Sequence, residues 1–286
     1  MPRRDALRDG DVTFADSVTD LARSPRARNQ IVASGSHGGR FSALVTIEAH
    51  VRAIAFNDAG LGMDSAGIAG LPILAAAGIP AVAVAHTSAR IGRAIDTFAG
   101  IVTHVNEPAA GLGCSTGETA EEALSLMRAA PMVDGSALVP YREQRRLVVP
   151  SGVQVWALDS ASLVRPVDRD SVVVTGSHGG LLGGDAARAL AFPVVAAIFN
   201  DAGGGKDGAG WARLAVLDDQ GTPAATVSAA TARIGDGMST FGDGVVSHVN
   251  SSATSHGAAV GMRARELVNL MRRAAENSER RDRDDA

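Results

Sequence analysis

The sequence predicts an α/β protein made of two tandemly duplicated, mostly parallel, three-layer α/β halves that are related by a pseudo-two-fold axis. Three observations predict it: glycine-rich motifs occur twice in the same order, short apolar runs alternate with helical patterns, and the apolar residues are mainly small and aliphatic. Aromatic residues make up 3% of the chain, against 45% hydrophobic residues and 33 glycines. That composition is typical of buried parallel strands packed on small-residue helices.

Four motifs recur in order with a nearly constant spacing. From His37 to His178 the offset is 141 residues, and the later motifs are offset by 143 or 144. Ordered matches of this kind indicate duplication of one structural unit. We therefore assign residues 12–130 to the first repeat, 131–150 to a joint, 151–275 to the second repeat and 276–286 to a disordered tail. The motifs are Gly-Ser-His-Gly-Gly (35–39, 176–180), Asn-Asp-Ala-Gly (57–60, 200–203), Ala-Arg-Ile-Gly (89–92, 232–235) and His-Val-Asn (104–106, 248–250).

The residues before each motif predict its secondary structure. Helices are predicted at 66–77, closed by Gly78, and at 119–128, where Thr119 and Glu122 have the spacing of a capping box. Short apolar runs alternating with such helices are typical of βαβ units and a mostly parallel sheet. The predicted strands are 12–14, 31–33, 54–56, 79–84, 101–103, 153–156, 172–174 and 197–199.

Composition and charge exclude several functional classes. The net charge of −4 gives no basic surplus for nucleic acid. Residues 66–85 are apolar and uncharged, but Pro72, Gly78 and Pro80 interrupt them, so we predict no membrane span. The charged N-terminus lacks the apolar core of a secretory signal. A single cysteine, Cys114, excludes an internal disulfide and suits a reducing compartment, so a cytoplasmic location is expected.

The motifs fall at or just beyond predicted strand ends, where parallel α/β sheets bind ligands. Six of the seven histidines lie in or beside these loops. In the first motif, Ser36 and Ser177 are candidate nucleophiles, with His37 and His178 as bases. The backbone N–H groups of its last glycines are candidates to hold an oxyanion: Gly38, Gly39, Gly179 and Gly180. The structural alternative is a glycine turn capped by serine.

The other motifs supply further candidates. Asp58 and Asp201 are predicted to take part in acid–base chemistry together with His104 and His248; an Asx turn is the alternative for the aspartates. Arg90 and Arg233 are predicted to bind a carboxylate; the alternative is an ion pair with Asp58 or Asp201. The lone Cys114 is interpreted as packing. The remaining predicted substrate-binding residues are Asn57, His86, Asn106, Asn200 and Asn250.

The two repeats differ at some polar positions. Across the duplication His86 faces Ala229, Glu107 faces Ser251, and His256 faces Leu112. Two independent sites would be expected to match at such positions. The mismatches therefore indicate either one composite site or one active and one decayed site.

The candidate residues favour a cytoplasmic hydrolase acting on a small polar substrate that bears a carboxylate or an amide. Histidine and aspartate would supply acid–base chemistry, and serine or activated water would attack. Loss of either His37 or His178 is expected to abolish activity. One alternative is a metal-dependent lyase or isomerase in which His37, Asp58, His104 and their counterparts bind a divalent metal. Another is a small-molecule-binding protein without activity. The hydrolase is expected to need no cofactor or metal. Its expected partner is a small-molecule substrate, with no nucleic acid or membrane. The sequence leaves open whether the chain forms a homo-oligomer.

Overall fold

The computed structural model describes residues 11–22, 27–132 and 142–284. The chain forms two compact units. The first contains the residues up to 142 together with two later segments, 180–184 and 202–209. The second contains 143–179, 185–201 and the residues from 210 onward. The first unit is therefore not contiguous in sequence.

The first unit contains a five-stranded sheet in which neighbours along the chain are also neighbours in space, in the order β1-β2-β3-β4-β5. Strands β1 to β4 are parallel, and β5 is antiparallel to β4. The strands are β1 (Val12–Ala15), β2 (Ile31–His37), β3 (Ala53–Asn57), β4 (Ala81–Val84) and β5 (Val102–Val105). The helices are α1 (Thr19–Ala22), α2 (Arg40–Glu48), α3 (Leu71–Ala76), α4 (Ala94–Ala99), α5 (Glu107–Gly111) and α6 (Ala120–Met127).

Alternating side chains of this sheet enter two separate cores. Val32 packs with residues of α2 and α3 such as Ile47 and Leu74. Its neighbour Ala33 belongs to the other cluster, which includes Leu124 of α6. Successive strand residues point to opposite faces, so fully apolar strands are covered by helices on both sides. The mixed α/β class with mostly parallel strands is thus confirmed.

The second unit contains a six-stranded sheet in the order β11-β10-β9-β8-β7-β6. Strands β7 to β10 are parallel, and the two edge strands are antiparallel to their neighbours. The strands are β6 (Arg145–Val149), β7 (Gln154–Leu158), β8 (Ser171–His178), β9 (Ala196–Asn200), β10 (Ala224–Val227) and β11 (Val246–Val249). The helices are α7 (Arg213–Asp219), α8 (Gly237–Asp243), α9 (Ser251–Ser255) and α10 (Ala264–Asp284).

The helix predicted over 119–128 is confirmed as α6, with both hydrogen bonds of the Thr119–Glu122 capping box. The helix predicted over 66–77 is instead a 3₁₀ segment, Met63–Ile68, followed by α3. The break falls at Gly70, where a Cβ would lie 2.4 Å from the carbonyl oxygen of Gly39. Close packing of two backbones therefore interrupts a sequence that is helical by propensity.

Two segments differ from their sequence-based description. The joint, 131–150, contains β6, although residues 133–141 lie outside the described part of the chain. Helix α10 extends to Asp284, through most of the stretch 276–286 that was expected to be a disordered tail. Its start is anchored, because Leu267 and Met271 are in the core of the second unit. None of the helices in the described residues is long and apolar enough to cross a membrane.

Candidate functional site

The carboxyl ends of β2 and β3 bring two of the motifs together. The strands are parallel neighbours, and His37 is paired with Asn57, the residue before Asp58. The N–H of Gly38 donates to the carbonyl oxygen of Asn57 at 3.2 Å. His37 and Asp58 therefore lie at the same edge of the sheet, as expected for motifs that follow parallel strands.

The Asp58 side chain is only 6% exposed, and its carboxylate accepts hydrogen bonds from several groups. Its Oδ1 accepts from the N–H of Gly60 and of His86, and lies 2.9 Å from Nδ1 of the His86 ring. Burial by itself would raise the pKa of Asp58. The hydrogen bonds from the His86 ring and from the N–H groups of Gly60 and His86 outweigh it and lower that pKa. Asp58 is therefore an anion at neutral pH.

The same carboxylate fixes the tautomer of His86. An ionised carboxylate can only accept, so the proton between the two groups is on Nδ1 of His86. In the neutral ring of this tautomer, Nε2 carries no proton and can act as a base. The imidazole is 26% exposed, so a small molecule can approach it. An imidazole oriented by a buried carboxylate is an arrangement used for general base catalysis.

A β-bulge between β4 and β5 adds two more side chains. Ala83 is paired with His104 and Val84 with Val102, so Thr103 is the extra residue. Bulges redirect side chains, often beside functional sites. The Thr103 hydroxyl lies 3.1 Å from Oδ2 of Asp58 and 3.2 Å from the carbonyl oxygen of Ala83, and it can donate its one proton to either. It also lies 3.0 Å from Nδ1 of His104 and, with its proton directed to either oxygen, accepts from Nδ1–H of that ring.

His37 is held differently from a general base. Its Nδ1 accepts the N–H of Gly39 at 3.1 Å, which places the ring proton on Nε2. Burial lowers the pKa of His37 to about 4, so the ring is neutral at pH 7. A Cβ on Gly39 would lie 2.5 Å from the His37 ring, which explains the need for glycine there. His37 is thus a hydrogen-bond donor through Nε2.

The two motif serines are bonded to backbone groups. The hydroxyl of Ser36 accepts the N–H of Val18 at 2.9 Å, and that of Ser177 accepts the N–H of Ala161 at the same distance. Neither bond activates the hydroxyl, because a serine nucleophile must donate its proton to a base. The serines therefore brace the loops after β1 and β7, and the structural alternative suits them better than nucleophilic attack.

The loop after β3 has an unusual backbone. Its non-glycine residues with positive φ are Ala59 (50°), Leu61 (61°), Asp64 (55°) and Ser65 (53°). Such conformations cost roughly 1–3 kcal/mol each and persist only where the surroundings enforce them. Gly60 is required at the tightest point, because a Cβ there would lie 2.8 Å from Cα of Gly203. The loop is thereby held beside His86.

The segment 202–209 completes the first unit around His86. The N–H of Lys206 donates to the carbonyl oxygen of His86 at 2.8 Å. A Cβ on Gly203 would lie 3.3 Å from Nε2 of His86, so the backbone of this segment borders the free ring nitrogen. The Asp207 carboxylate pairs with Arg90.

The predicted carboxylate-binding arginines are occupied within the protein. Arg90 is bonded to Asp207 and, at 2.9 Å, to Asp96. Arg233 is paired with Asp236 at 3.3 Å and with Asp243 at 3.9 Å. The ion-pair alternative is therefore the better description of these arginines. The partners of Arg90 are Asp96 and Asp207 and not Asp58. An arginine bound to two carboxylates is neutralised and is a weak ligand for a third.

The motif asparagines have structural roles. The Asn57 side chain is fully buried between the carbonyl oxygen of Ala89 and the N–H of Ala59. Asn200 donates to the carbonyl oxygen of Ala232 in the same manner. Neither amide faces a space that a substrate could enter.

Asn106 and Asn250 lie at the opposite edge of their sheets from the site. Asn106 bonds the N–H of Ala81, at the start of β4, and Asn250 bonds the N–H of Ala224, at the start of β10. The reason is that β5 and β11 run antiparallel to their neighbours. Their carboxyl ends therefore meet the amino ends of β4 and β10. The expectation that all four motifs gather on one edge is wrong for these residues.

The antiparallel direction of β5 and β11 also moves two of the residues that have no counterpart in the other repeat, Glu107 and His256. Glu107 begins α5 and His256 follows α9, and these helices come directly after Asn106 and Asn250. Both side chains are exposed. Of the three residues that lack a counterpart, His86 alone contacts Asp58.

In the second unit the corresponding loop has no imidazole at the His86 position. Oδ1 of Asp201 accepts the N–H of Ala229 at 2.8 Å. A bulge at Ser247 brings its hydroxyl 3.3 Å from Nδ1 of His248. The His248 ring stacks on Trp211 with centroids 3.7 Å apart, and burial lowers its pKa.

The second Gly-Ser-His-Gly-Gly motif is divided between the units. His178 is 7% exposed and is paired with Asn200 in the sheet. The carbonyl oxygen of Gly179 accepts the N–H of Arg213, and a Cβ on Gly179 would lie 2.6 Å from the carbonyl oxygen of Gly210. Gly180 belongs to the first unit. No helix like α2 follows, because Gly183 and Gly184 adopt positive φ.

A shared metal site is not formed by the candidate ligands. Within residues 11–22, 27–132 and 142–284, no three His, Cys, Asp or Glu side chains come together as metal ligands. His37 uses Nδ1 for Gly39, and both Asp58 oxygens are bonded within the protein. Cys114 is buried, and burial together with nearby Glu118 raises its pKa to about 12, as suits a packing residue.

Two residues of the site were missed by sequence reasoning. Thr103 links His104 to Asp58, and its only signal in the sequence is its place directly before the repeated histidine. Lys206 contacts His86 through its backbone. Two signals mark it: it is the only lysine in the sequence, and its counterpart is Met63.

The fold and the site together define an α/β protein with a histidine–aspartate pair at the carboxyl ends of parallel strands. Comparison of the chain with protein-family models, with curated proteins and with solved structures gave no match.

Proposed function

We propose that this protein is a hydrolase for a small polar substrate that bears a carboxylate or an amide, and that its nucleophile is water. The observation that carries the proposal is the 2.9 Å hydrogen bond between Nδ1 of His86 and Asp58, which leaves Nε2 as a free base. A base that is oriented in this way can take a proton from water as the water attacks a carbonyl carbon.

The other side chains have supporting roles in this proposal. Asp58 orients His86 and stabilises the imidazolium that forms when Nε2 accepts the proton. His37 donates from Nε2–H to the oxygen on which negative charge develops. A neutral imidazole suits that role, because it loses no proton to the oxyanion. The proton that Nε2 of His86 takes from water is then given to the leaving group as the C–N or C–O bond breaks. His104 reaches Asp58 through Thr103 and helps to hold that carboxylate in place.

We also propose that the two units derive from a duplication and that the second has lost its base. In support, five strands occur in the same order in each unit, and both sheets carry a bulge before the repeated histidine. Ala229 stands where His86 would be, and its side chain cannot accept a proton. One active site per chain follows, at Asp58 and His86.

The metal-dependent alternative is not proposed. Its expected ligands, His37, Asp58 and His104, each use a ring nitrogen or carboxylate oxygens for a hydrogen bond within the protein. Metal ligation would have to break these bonds.

The proposed hydrolase can be tested with a panel of small amides and esters, with and without a carboxylate, by following the release of amine or alcohol. The His86→Gln variant should lose roughly 10²–10⁴-fold in kcat/KM, the usual contribution of a general base. His256→Gln is the matched control, since His256 is exposed at the end of α9. Equal turnover by the wild type and His86→Gln, or no hydrolysis of any amide or ester, would refute the proposal.

A further inference from the structure

We propose that Lys206 binds a carboxylate group of the ligand beside His86. This inference rests on the proposed function for the position of the site and adds the residue that selects an anionic ligand. It replaces Arg90 and Arg233, whose guanidinium groups are bonded to aspartates.

The sequence sets Lys206 apart from every other basic residue. The chain has 27 lysines and arginines, and Lys206 is its only lysine. The equivalent position in the first repeat holds Met63, which carries no charge. Lys206 thus breaks the symmetry of the repeats in the same way as His86. His86 and Lys206 contact each other, and neither has a charged counterpart in the other repeat. One is a base and the other is a cation.

The backbone around Lys206 is fixed against the site on both sides. Before it, Gly203 lies against Gly60 and borders the His86 ring. At Lys206 itself, the N–H is bonded to the carbonyl oxygen of His86. After it, Asp207 is held by Arg90. Three anchors within five residues leave little freedom for the backbone, so the lysine side chain starts from a defined point next to the base.

The charge of Lys206 is available to a ligand. Its side chain is exposed, and within the described residues its ammonium makes no ion pair. The adjacent Asp207 carboxylate is bonded to Arg90 instead. An arginine at position 206 would offer a planar fork that pairs readily with carboxylates of its own loop. An ammonium is a compact, hydrated charge on a flexible stem and remains free for an incoming anion.

The single lysine allows a direct test. Reductive methylation with ¹³C-formaldehyde keeps the charge and gives one lysine dimethyl signal, with the N-terminal amine as an internal reference. Titration with acetate and succinate should shift the lysine signal saturably, while neutral acetamide should not. By calorimetry, Lys206→Met should bind succinate at least about fivefold more weakly, the loss expected for one partly exposed ion pair. Arg146→Met removes one exposed positive charge in the second unit and should bind as the wild type does.

A relocated lysine provides the matched control. In the double variant Lys206→Met with Met63→Lys, the one lysine signal should not respond to carboxylates. An equal response in that variant, or no saturable shift with either carboxylate in the wild type, would overturn the inference, as would a preference for inorganic phosphate over carboxylates. The result is independent of turnover. Saturable carboxylate binding without hydrolysis would refute the hydrolase and leave this inference standing. Hydrolysis without saturable carboxylate binding would overturn this inference and leave the hydrolase standing.

Discussion

At the scale of residues, Asp58 connects two imidazoles through its two oxygens. Oδ1 is bonded to His86 and Oδ2 to Thr103, which in turn contacts His104. Protonation or removal of this one carboxylate would therefore alter both rings together. His37, at the end of the neighbouring strand, is outside this chain of bonds because its Nδ1 is committed to Gly39.

Asp58→Asn tests the role of the carboxylate in holding the His86 tautomer. The amide keeps the shape of the carboxylate but cannot hold the proton on Nδ1 of His86 in the same way, so Nε2 becomes protonated in part. Activity should fall roughly 10²–10⁴-fold while the fold is retained. ¹⁵N spectra of the imidazoles should show a change of the His86 tautomer in parallel with the loss of kcat.

Asp201→Asn is the control for this prediction, because Asp201 occupies the equivalent position but has Ala229 as its neighbour. It should retain most of the activity. If both variants lose activity equally, the second unit takes part in the chemistry and the single-site proposal fails.

At the scale of elements, β6 is held to the second unit by a buried ion pair. Arg145, 9% exposed, forms a bidentate contact with Asp168, which is fully buried. Its guanidinium also lies 3.9 Å from the centre of the Trp156 ring. From sequence alone, residues 142–146 are a solvated charge run. The structure corrects that interpretation for Arg145, since β6 is an edge strand whose side chains reach back over β7.

We expect Arg145→Met to destabilise the second unit by about 3–5 kcal/mol, because the buried Asp168 carboxylate would lose its counter-charge. Denaturant unfolding followed by the fluorescence of Trp156 and Trp211, which both belong to the second unit, measures this. Arg146→Met is the control. Arg146 is exposed and bonds only the side chain of Gln144, so its loss should change stability by less than about 0.5 kcal/mol. Equal effects of the two variants would contradict the role given to the pair.

At the scale of the whole molecule, one buried group in each unit, His37 in the first and Glu143 in the second, should make stability respond to acid in opposite directions. Burial lowers the pKa of His37 in the first unit from 6.5 to about 4. In the second unit, burial and the charge of Asp159 raise the pKa of Glu143 from 4.5 to about 7. Below pH 6.5 the unfolded state binds a proton at His37 that the folded state does not, which lowers stability. Between pH 7 and 4.5 the folded state binds a proton at Glu143 that the unfolded state does not yet bind, which raises stability.

Amide hydrogen exchange can separate the units, with β3 reporting on the first and β9 on the second. Protection of β3 should fall as the pH is lowered from 6.5 to 4, by about 3 kcal/mol at most. In the second unit the lowered pKa of His248 opposes Glu143, so β9 is followed in the His248→Gln variant, where its protection should rise from pH 7 to 4.5. His37→Gln should abolish the first trend, and Glu143→Gln added to His248→Gln should abolish the second. The Asp58 contribution is separate, since its lowered pKa matters only below 3.8. Parallel trends in both strands would contradict this assignment.

The sequence by itself determined the features that depend on neighbouring residues. Apolar runs such as 31–33 and 172–174 form strands, and the capping box at Thr119 begins a helix. These follow from local geometry and from the pairing of residues a few positions apart. The placement of His37 and Asp58 at one edge also follows, because both end parallel strands that are neighbours.

Only the tertiary structure decided the rest. The antiparallel direction of β5 moved Asn106 away from the site, and the bulge at Thr103 brought His104 into it. The segment 202–209 joined the first unit and carried Lys206 to His86. Strand direction, register and the partner of each ring nitrogen depend on contacts between residues far apart in sequence. The local sequence pattern, which extends over only a few neighbouring residues, does not encode them.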